Sequence, residues 1–583
     1  MYQNIINILL TIDKKRFFLL VFFLILLALI EIISLGLVIP LITAIIDYES
    51  IQQTPKLFAF LNFIENLDFL SPDLEKRQKV ILIITMGIII FFILKFIFVI
   101  FVAWYQSTID VHLNYVLSSK ILKKYVYSNY SFHVKKNSSE LISTLNEEIN
   151  EVTLCIRSFI RLISEVFLVI GIVILLFFVI KIWSFYAGIL IFIFAALIRS
   201  IGANKLHKLG HQRQFHNKSK LESLKNIFGS IKEIKILRKE TFFLNIFNFH
   251  NLALNKTAVF RSIIKVVPRL SLEFIGVILI LSLTIIWVIS GLSSEKIIYN
   301  VGIMAVCAFR LFPATSSILV SLHQIKFNTA AIKKVSEDLE ISSPISKKQN
   351  NDVEEYEFKK KISLKIKNFY HDDKHSFRLK NINLEIPKNK FIGIYGPSGS
   401  GKSTLIDILT GIIQLDNKEN ILEVDNKKIN TNNNSWKNKF GYIGQNIFLL
   451  NDTIKKNVAF GISEEQINNE KVLSSLKKAE IYDFINSLDH NEETILNENG
   501  LNFSGGQRQR IGISRLFYLD PEILIFDEAT SSLDKKVEDD ILKTIFKLKG
   551  LKTILMISHK IENLSNCDLF YEVKKGEVIK HES

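Results

Sequence analysis

Long apolar runs in the first 325 or so positions constrain the fold of this 583-residue chain more than any other feature. Each run is near or above the roughly 20 residues that a helix needs to cross a bilayer. The runs cover residues 17 to 46, 80 to 104, 159 to 180, 183 to 201, 266 to 290 and 297 to 325. The rest of the chain has the mixed composition of a soluble domain, so we predict six transmembrane helices followed by a separate globular domain.

The composition supports this division and excludes other classes. Hydrophobic residues make up 49% of the chain and charged residues 22%, which argues against disorder and against an ordinary soluble enzyme. Three cysteines, Cys155, Cys307 and Cys567, are too few and too scattered for a disulfide framework or a zinc site. The first apolar run is much longer than the apolar part of a signal peptide, so we expect it to remain as an anchor.

Loop charge predicts the orientation of the helices. Residues 202–265 contain thirteen Lys or Arg and three Glu, whereas residues 47–79 contain six acidic and four basic residues. Positively charged loops remain on the cytoplasmic side of a membrane. We therefore predict that both termini and the C-terminal domain are cytoplasmic. Much of the net charge of +15 then reflects membrane topology, and it does not require a nucleic-acid partner.

The predicted organisation is a six-helix membrane domain at residues 1–330, a linker at 331–355 that is rich in Lys, Glu, Ser and Asn, and a globular domain at 356–583. The segments predicted to be cytoplasmic contain few helix-breaking residues: 105–160 has no Gly or Pro, and 202–265 has three Gly and no Pro. We therefore expect the helices to continue well beyond the bilayer. Between the first two spans, residues 57–67 have the apolar spacing of a short helix, which either lies on the membrane surface or packs on its own protein.

A glycine-rich loop in the globular domain predicts nucleotide binding. The strand-like run Lys390–Tyr395 leads into Gly-Pro-Ser-Gly-Ser-Gly-Lys-Ser, and an apolar helical pattern follows. The glycines let backbone N–H groups surround phosphates, Lys402 can reach the β- and γ-phosphates, and the Ser403 hydroxyl can bind Mg²⁺. The predicted ATP contacts are Gly396, Pro397, Ser398, Gly399, Ser400, Gly401, Lys402, Ser403 and Thr404.

A second strand ends in two carboxylates. Ile523–Phe526 is followed by Asp527 and Glu528. At the end of a buried parallel strand beside the phosphate loop, Asp527 would hold Mg²⁺ and Glu528 would polarise the attacking water. Such a pair on its own is more often a helix cap, but the upstream phosphate loop favours the catalytic interpretation.

The segment Phe-Ser-Gly-Gly-Gln-Arg-Gln-Arg at 503–510 resembles the signature of ATP-binding cassette (ABC) proteins, with Phe503 in place of the usual Leu. Gln445 in Gly-Tyr-Ile-Gly-Gln-Asn, Asp534 in Ser-Ser-Leu-Asp and His559 in Ser-His-Lys follow the family's order and spacing. The resemblance implies an α/β P-loop cassette that hydrolyses ATP with Mg²⁺. It also implies that Gln445 senses the metal and the water, and that His559 contacts the γ-phosphate.

The resemblance further implies a homodimer, because one chain supplies one cassette and six spans. The signature of one copy would face the ATP held by the phosphate loop of the other, and Asp534 would cross the interface. The signature contacts would be Ser504, Gly505, Gly506 and Gln507. The aromatic residue that stacks on adenine would be Tyr370, with His371 as the alternative; for both, packing into the small antiparallel sheet is also open.

Several segments are similar to those of exporters. Residues 445–461 and the turn Asn497-Glu-Asn-Gly500 resemble parts of exporter cassettes, and 131–141 and 223–237 are similar to segments whose short transverse helices dock on the cassettes. The implied cycle uses ATP to close the cassettes, swing the long helices and turn the cavity outward, and hydrolysis to reset it. The implied location is the bacterial inner membrane.

Charges within the spans give the substrate hypothesis. Lys95, Arg269 and Arg310 could line a cavity and attract a phosphorylated headgroup. Alternatively, Arg269 pairs with Glu273 one turn on and Lys95 meets Glu31 across helices.

The membrane half also resembles the lipid-linked oligosaccharide flippases of bacterial glycan assembly, in Ile30-Glu-Ile through Val38-Ile-Pro40, Val267-Pro-Arg through Leu272-Glu273, and Phe309-Arg-Leu-Phe-Pro313. We therefore expect ATP-driven flipping of a polyprenyl-pyrophosphate-linked glycan, with membrane lipids as further partners. An exporter of peptides, drugs or other lipids is the alternative. A membrane-tethered P-loop ATPase acting on nucleic acid is remote, because the signature and the docking segments have no use there, and we expect no nucleic-acid partner.

Overall fold

The computed structural model describes residues 5, 8, 14–46, 76–180, 182–341, 356–370, 378–415, 419–429, 431, 434–497, 500, 502–530 and 535–581. The chain divides into two compact units. One contains Met1–Ser128 and Phe132–Ser346, and the other contains Asn129–Ser131 and Lys347–Ser583.

Apart from short connections, the described residues of the first unit are helical. The long helices are α1 (Lys14–Gly36), α2 (Val38–Ile46), α3 (Lys76–Val126), α6 (Ile149–Ile180), α7 (Ile182–Gly229), α9 (Glu240–Ile289), α10 (Ser294–Phe327) and α11 (Thr329–Glu340). The shorter ones are α4 (Tyr130–Lys135), α5 (Ser138–Ser143) and α8 (Ile231–Leu237), with a π-helical turn at Thr144–Glu148 between α5 and α6.

These helices agree with the predicted spans. Among the described residues, five helical stretches are long and apolar enough to cross a membrane. A sixth is present if residues 188–200 and 205–229, which are bent by 40° within α7, form one span. Exposed Ile, Leu, Phe and Val side chains cover α3 and α9, as expected for surfaces that face lipid rather than water. The chain is a multi-pass membrane protein.

The helices extend far past the apolar runs, as predicted. α3 has 51 residues and α9 has 50, and at 1.5 Å per residue each is about 75 Å long, against a hydrocarbon core of about 30 Å. Ion pairs tie the extensions together: Arg213 Nη2 lies 2.6 Å from Glu148 Oε2, and the guanidinium of Arg261 makes two hydrogen bonds of 2.7 and 2.9 Å to Glu151. These bonds fix the π-helical turn before α6 against α7, and α6 against α9.

Residues 331–340 of the predicted linker form most of α11. Ala331, Ile332 and Val335 are buried in the helical unit, and the buried Asp338 accepts a 2.6 Å hydrogen bond from the Tyr125 hydroxyl. This segment is therefore an amphipathic helix, although its many charged residues are typical of a linker. The remainder of the predicted linker, 342–355, lies outside the described residues, as do residues 57–67.

The second unit contains two sheets. Its strands are β1 (Lys361–Tyr370), β2 (Arg378–Pro387), β3 (Phe391–Tyr395), β4 (Ile421–Val424), β5 (Lys427–Lys428), β6 (Phe440–Ile443), β7 (Ile523–Asp527), β8 (Thr553–Ser558), β9 (Leu569–Lys574) and β10 (Glu577–His581). A four-stranded antiparallel sheet has the order β2-β1-β4-β5. A six-stranded sheet has the order β10-β9-β3-β8-β7-β6, and all of its neighbours are parallel except β9 and β10.

Helices accompany this larger sheet. They are α12 (Lys402–Leu409), α13 (Asn434–Lys437), α14 (Ile454–Val458), α15 (Asn469–Lys478), α16 (Tyr482–Asn486), α17 (Gly505–Leu519) and α18 (Lys535–Phe546).

The parallel strands are buried on both faces. In β7, Leu524 and Phe526 belong to one hydrophobic core, whereas Ile523 and Ile525 belong to another. Successive residues of β8 alternate between the same two cores. Because both faces of each strand are buried, both strands are continuous apolar runs in the sequence. The carboxyl ends of β3, β6, β7 and β8 therefore meet at one edge of the sheet, where the predicted phosphate loop and carboxylates follow.

Candidate functional site

The phosphate loop connects β3 to α12. Gly396, Gly399 and Gly401 have φ values of 153°, 76° and 108°, a region that side-chain-bearing residues rarely adopt. A Cβ atom at Gly396 would also lie only 2.1 Å from the carbonyl oxygen of Val573. The loop therefore requires glycine there, and it leads directly into the N-terminus of α12, where backbone N–H groups favour an anion.

Lys402 lies within this loop. Its Nζ donates to the carbonyl oxygens of Gly396 at 2.8 Å and Pro397 at 3.0 Å, and the residue is 6% exposed. Burial lowers the pKa of Lys402, and the charges of Glu528 and Asp527 oppose that shift. The Ser400 hydroxyl is buried and has no hydrogen-bond partner among the described residues. A buried hydroxyl without a partner and an ammonium held on the loop's own carbonyls both fit a phosphate group, which would give each a partner.

Ser403 and Asp527 meet at the start of α12 and the end of β7. Their side chains are hydrogen-bonded, and the Tyr442 hydroxyl donates to Asp527 Oδ2 at 3.1 Å. Burial raises the pKa of Asp527, and the charge of Glu528 adds to the shift. A hydroxyl and a carboxylate side by side are hard oxygen ligands of the kind that Mg²⁺ prefers, so these two residues fit the ion. Sequence reasoning missed Tyr442, whose position at the end of β6, three residues before Gln445, was the available signal.

Glu528 follows in a strained backbone conformation. Its φ of 52° is unusual for a residue with a side chain, and its N–H donates to Ile557 O of the neighbouring strand at 3.1 Å. A carboxylate oxygen of Glu528 is in contact with His559 Nε2 and lies 4.0 Å from Lys402 Nζ. The other ring nitrogen, Nδ1 of His559, donates to Gly396 O at 3.1 Å. The structure thus brings together four residues from separate positions in the sequence: Lys402, Asp527, Glu528 and His559.

The signature forms a capped helix start. Ser504 is the N-cap of α17, with Gln507 N donating to Ser504 Oγ at 3.3 Å and Ser504 N donating to Gln507 Oε1 at 2.8 Å. Phe503, where the family usually has Leu, is buried with its ring edge-to-face on Phe484. In the described part of the chain, no hydrogen bond or ion pair joins this helix start to the phosphate loop. Within one chain, therefore, no such bond joins the signature to the group formed by Lys402, Asp527, Glu528 and His559.

The other predicted site residues have separate positions. Gln445 is exposed in the loop after β6, on the same sheet edge as Asp527. Tyr370 is 40% exposed at the end of β1, where it pairs with Arg378 of β2. His371 and Asp534 lie outside the described residues.

The predicted cations of the membrane half form ion pairs. Lys95 Nζ lies 2.8 Å from Glu31 Oε2 and donates to Ser34 Oγ at 2.9 Å, while Arg310 Nη2 lies 3.0 Å from Glu31 Oε1. One buried carboxylate on α1 thus joins cations of α3 and α10, which places Lys95 and Arg310 together. Arg269 is elsewhere, on an exposed face of α9, where its Nε lies 2.7 Å from Glu273 Oε1. Both alternative pairings are therefore formed, and the second partner of Glu31 was not predicted.

Comparison with known proteins identifies both halves. Residues 17–313 match the family described as ABC transporter transmembrane region, and residues 379–531 match the family described as ABC transporter. The structure aligns with a bacterial Atm1-family ABC exporter with ATP bound at a TM-score of 0.76, covering 98% of this chain and 96% of that one at 17% identity. At this identity the likeness shows the fold alone.

Curated relatives are similar over a shorter length. The ATP-dependent lipid A-core flippase of Pectobacterium atrosepticum is 37% identical over 213 residues, which are 36% of this chain and 36% of the relative. The flippase of the same name from Escherichia coli K12 is 37% identical over 202 residues, 35% and 34% of the two chains. The matched segment thus spans about a third of these relatives. Because the transmembrane family alone accounts for more than half of the residues, the chain belongs to the ABC transporters, with a transmembrane region fused to a cassette.

Proposed function

We propose that this protein uses ATP hydrolysis to export or flip a lipid-linked substrate across the bacterial inner membrane, with its cassette in the cytoplasm. The observation that carries the proposal is the convergence of Lys402, Ser403, Asp527, Glu528 and His559 at the carboxyl edge of one parallel sheet. This group has a cation for phosphates, two oxygen ligands for a metal, and a carboxylate for the attacking water.

The roles follow from the geometry. The ammonium of Lys402 would leave the carbonyl oxygens of Gly396 and Pro397 for the β- and γ-phosphates, and the Ser400 hydroxyl would gain a partner. Ser403 and Asp527 would hold Mg²⁺ with Gln445, and the ion would neutralise phosphate charge. Glu528 would orient and deprotonate the water, while His559, which contacts Glu528 and the loop carbonyl, would keep that carboxylate in position and reach the γ-phosphate.

A homodimer would complete the site. The N-terminus of α17 has the Ser504 cap and two glycines, which suit the approach of a phosphate to backbone N–H groups. Since no bond joins this helix start to the phosphate loop among the described residues, a second copy is the natural source of the missing contact.

The proposed substrate carries a phosphorylated headgroup. Lys95 and Arg310 meet at the Glu31 carboxylate within the spans, and Arg310 also interacts electrostatically with Glu165, so a substrate phosphate would share these two cations with the carboxylates. The relatives named lipid A-core flippases support a lipid substrate. The finer proposal is a polyprenyl-pyrophosphate-linked glycan, which rests on the resemblance of the membrane segments. Export of peptides, drugs or other lipids is the alternative substrate class.

The test is the ATPase activity of the purified protein in nanodiscs, with and without a polyprenyl-pyrophosphate oligosaccharide. We expect the lipid to stimulate hydrolysis, and Arg310→Ala to weaken that stimulation while basal hydrolysis remains. Lys256→Ala is the matched control, because it removes a cation from the exposed cytoplasmic part of α9.

Two results would contradict separate parts of the proposal. Hydrolysis that persists at the wild-type rate in Glu528→Gln would remove the catalytic assignment. Glu528-dependent hydrolysis that does not respond to the lipid-linked glycan, but does respond to a peptide or drug, would assign the protein to the alternative substrate class.

A further inference from the structure

A small pocket lies between α7, α9 and α10, away from the Glu31 ion cluster. Its polar lining consists of Arg261 and Lys265 from α9 and of His323 and Gln324 from α10. Leu206 of α7 and Phe327 of α10 form apolar walls. No carboxylate lines this pocket among the described residues.

The pocket contains buried donors and acceptors that have no partner. His323 is only 6% exposed, and neither of its ring nitrogens makes a hydrogen bond among the described residues. Nε of Arg261 is also buried without a partner, although its two terminal nitrogens bind Glu151. A buried polar group without a hydrogen bond is unfavourable, and native proteins rarely retain one. A polar ligand in the pocket would satisfy these atoms.

The charges around His323 favour an anion as that ligand. Lys265 is exposed at the pocket, and Arg199 of α7 interacts electrostatically with His323. Of the three cations Arg199, Arg261 and Lys265, only Arg261 has a carboxylate partner that the structure describes. A water molecule would satisfy His323 but would leave this excess positive charge.

The position of the pocket in the membrane favours a lipid as the source of the anion. Its residues lie at one end of three apolar runs: Arg199 near the end of 183–201, Lys265 just before 266–290, and His323 near the end of 297–325. By the loop charges this end faces the cytoplasm. Nearby, Ile263, Val266 and Val267 are exposed apolar residues on α9, as expected of a surface in contact with acyl chains. Basic pockets between transmembrane helices on this side bind anionic headgroups.

We propose that the pocket lined by Arg261, Lys265 and His323 binds the phosphate of an anionic phospholipid from the cytoplasmic leaflet. Lys265 at the pocket and Arg199, whose charge reaches His323, neutralise the phosphate, and one phosphate oxygen reaches His323 and Nε of Arg261. The site is separate from the Lys95 and Arg310 cluster, and it does not depend on which substrate is transported.

The experiment uses the full chain in detergent, titrated with phosphatidylglycerol and followed by native mass spectrometry, with phosphatidylcholine as the zwitterionic comparison. We expect preferential binding of phosphatidylglycerol. The double variant Arg199→Gln/Lys265→Gln and the single variant His323→Leu should each bind it about tenfold more weakly, since each loses contacts to the phosphate. Lys256→Gln, which removes a charge from the same helix α9 outside the pocket, should bind as the wild type does.

Two further readouts keep the test decisive. His323→Leu removes an unpartnered polar group, so its thermal unfolding midpoint should not fall, which excludes misfolding as the cause of weaker binding. Inorganic phosphate at millimolar concentration should not displace phosphatidylglycerol; displacement would overturn the lipid as the source. Equal affinity for phosphatidylglycerol in the wild type and in both pocket variants would overturn the site itself.

Discussion

At the scale of single residues, the proposed catalytic carboxylate of Glu528 is positioned by its backbone as well as by its neighbours. Glu528 adopts a positive φ that costs roughly 1 to 2 kcal/mol for a residue with a Cβ atom, and the N–H bond to Ile557 O holds it there. That conformation turns the side chain toward His559 and Lys402 at the end of the strand. The strain is thus retained where the proposed chemistry requires a fixed carboxylate.

Glu528→Gln should therefore abolish turnover while it preserves nucleotide binding. The amide has the same shape but cannot accept the proton of the attacking water, so we expect ATP hydrolysis to fall by at least about a hundredfold. Binding of a fluorescent ATP analogue should remain within a factor of about two of the wild type, because the change leaves the phosphate loop intact. Lys402→Ala is the opposite control, with binding lost as well.

Glu31→Gln should destabilise the membrane half. It leaves the partly buried Lys95 without its carboxylate and Arg310 with Glu165 alone, a defect that we expect to cost about 1 to 3 kcal/mol. The matched control is Glu273→Gln, which breaks the exposed pair with Arg269 and should cost less than about 1 kcal/mol. Thermal unfolding in detergent compares the two, and equal midpoints for both variants would show that Glu31 does not stabilise the two cations.

At the scale of elements, apolar run length predicted the helices well, because the bilayer sets a minimum length that few other folds require. Contacts between helices could not be predicted in the same way. The sequence indicated one partner for Glu31, but only the packing of α1 against α3 and α10 shows that Lys95 and Arg310 share it. α11 was not predicted because charged residues are as numerous in it as the apolar ones that pack, although Ile332 and Val335 have helical spacing. In the cassette, motif order predicted the residues that converge, but not Tyr442.

The contact between α7 and α10 requires a residue without a Cβ atom at position 210. A Cβ atom at Gly210 would lie 2.0 Å from the backbone carbonyl oxygen of Phe327, and backbone cannot rotate away as a side chain can. We expect Gly210→Ala to force the helices apart and cost about 1 to 3 kcal/mol. Gly87→Ala in α3, where a Cβ atom meets nothing within 4 Å, should be neutral or slightly stabilising. Unfolding midpoints of the two variants check this, and a Gly210→Ala midpoint at or above that of Gly87→Ala would be inconsistent with the close approach.

At the scale of the whole molecule, the proposed dimer has a consequence for mixtures of inactive chains. A Lys402→Ala chain lacks its phosphate-binding cation but keeps its signature, and a Ser504→Arg chain has the reverse defect. Each homodimer should be inactive. A mixed dimer should contain one intact site, made from the phosphate loop of the second chain and the signature of the first.

Co-expression of the two variants in equal amounts should therefore restore ATPase activity to about a quarter of the wild-type rate, since half of the dimers are mixed and each has one of its two sites. The measurement uses protein purified through different tags on the two chains as well as the unselected mixture. A mixture as inactive as either parent would mean that each chain builds its site alone or that both sites must act together.

The long continuous helices also limit the insertions and deletions that the protein can tolerate. In α3 and α9 every residue adds about 100° of rotation and 1.5 Å of rise, so the loss of a single residue rotates everything beyond it. In α9, such a deletion between the membrane and Arg261 would turn that guanidinium away from Glu151. In homologous chains, residue identities in these helices should therefore vary more than the number of residues in each helix. Gaps in an alignment should fall in the loops between the helices.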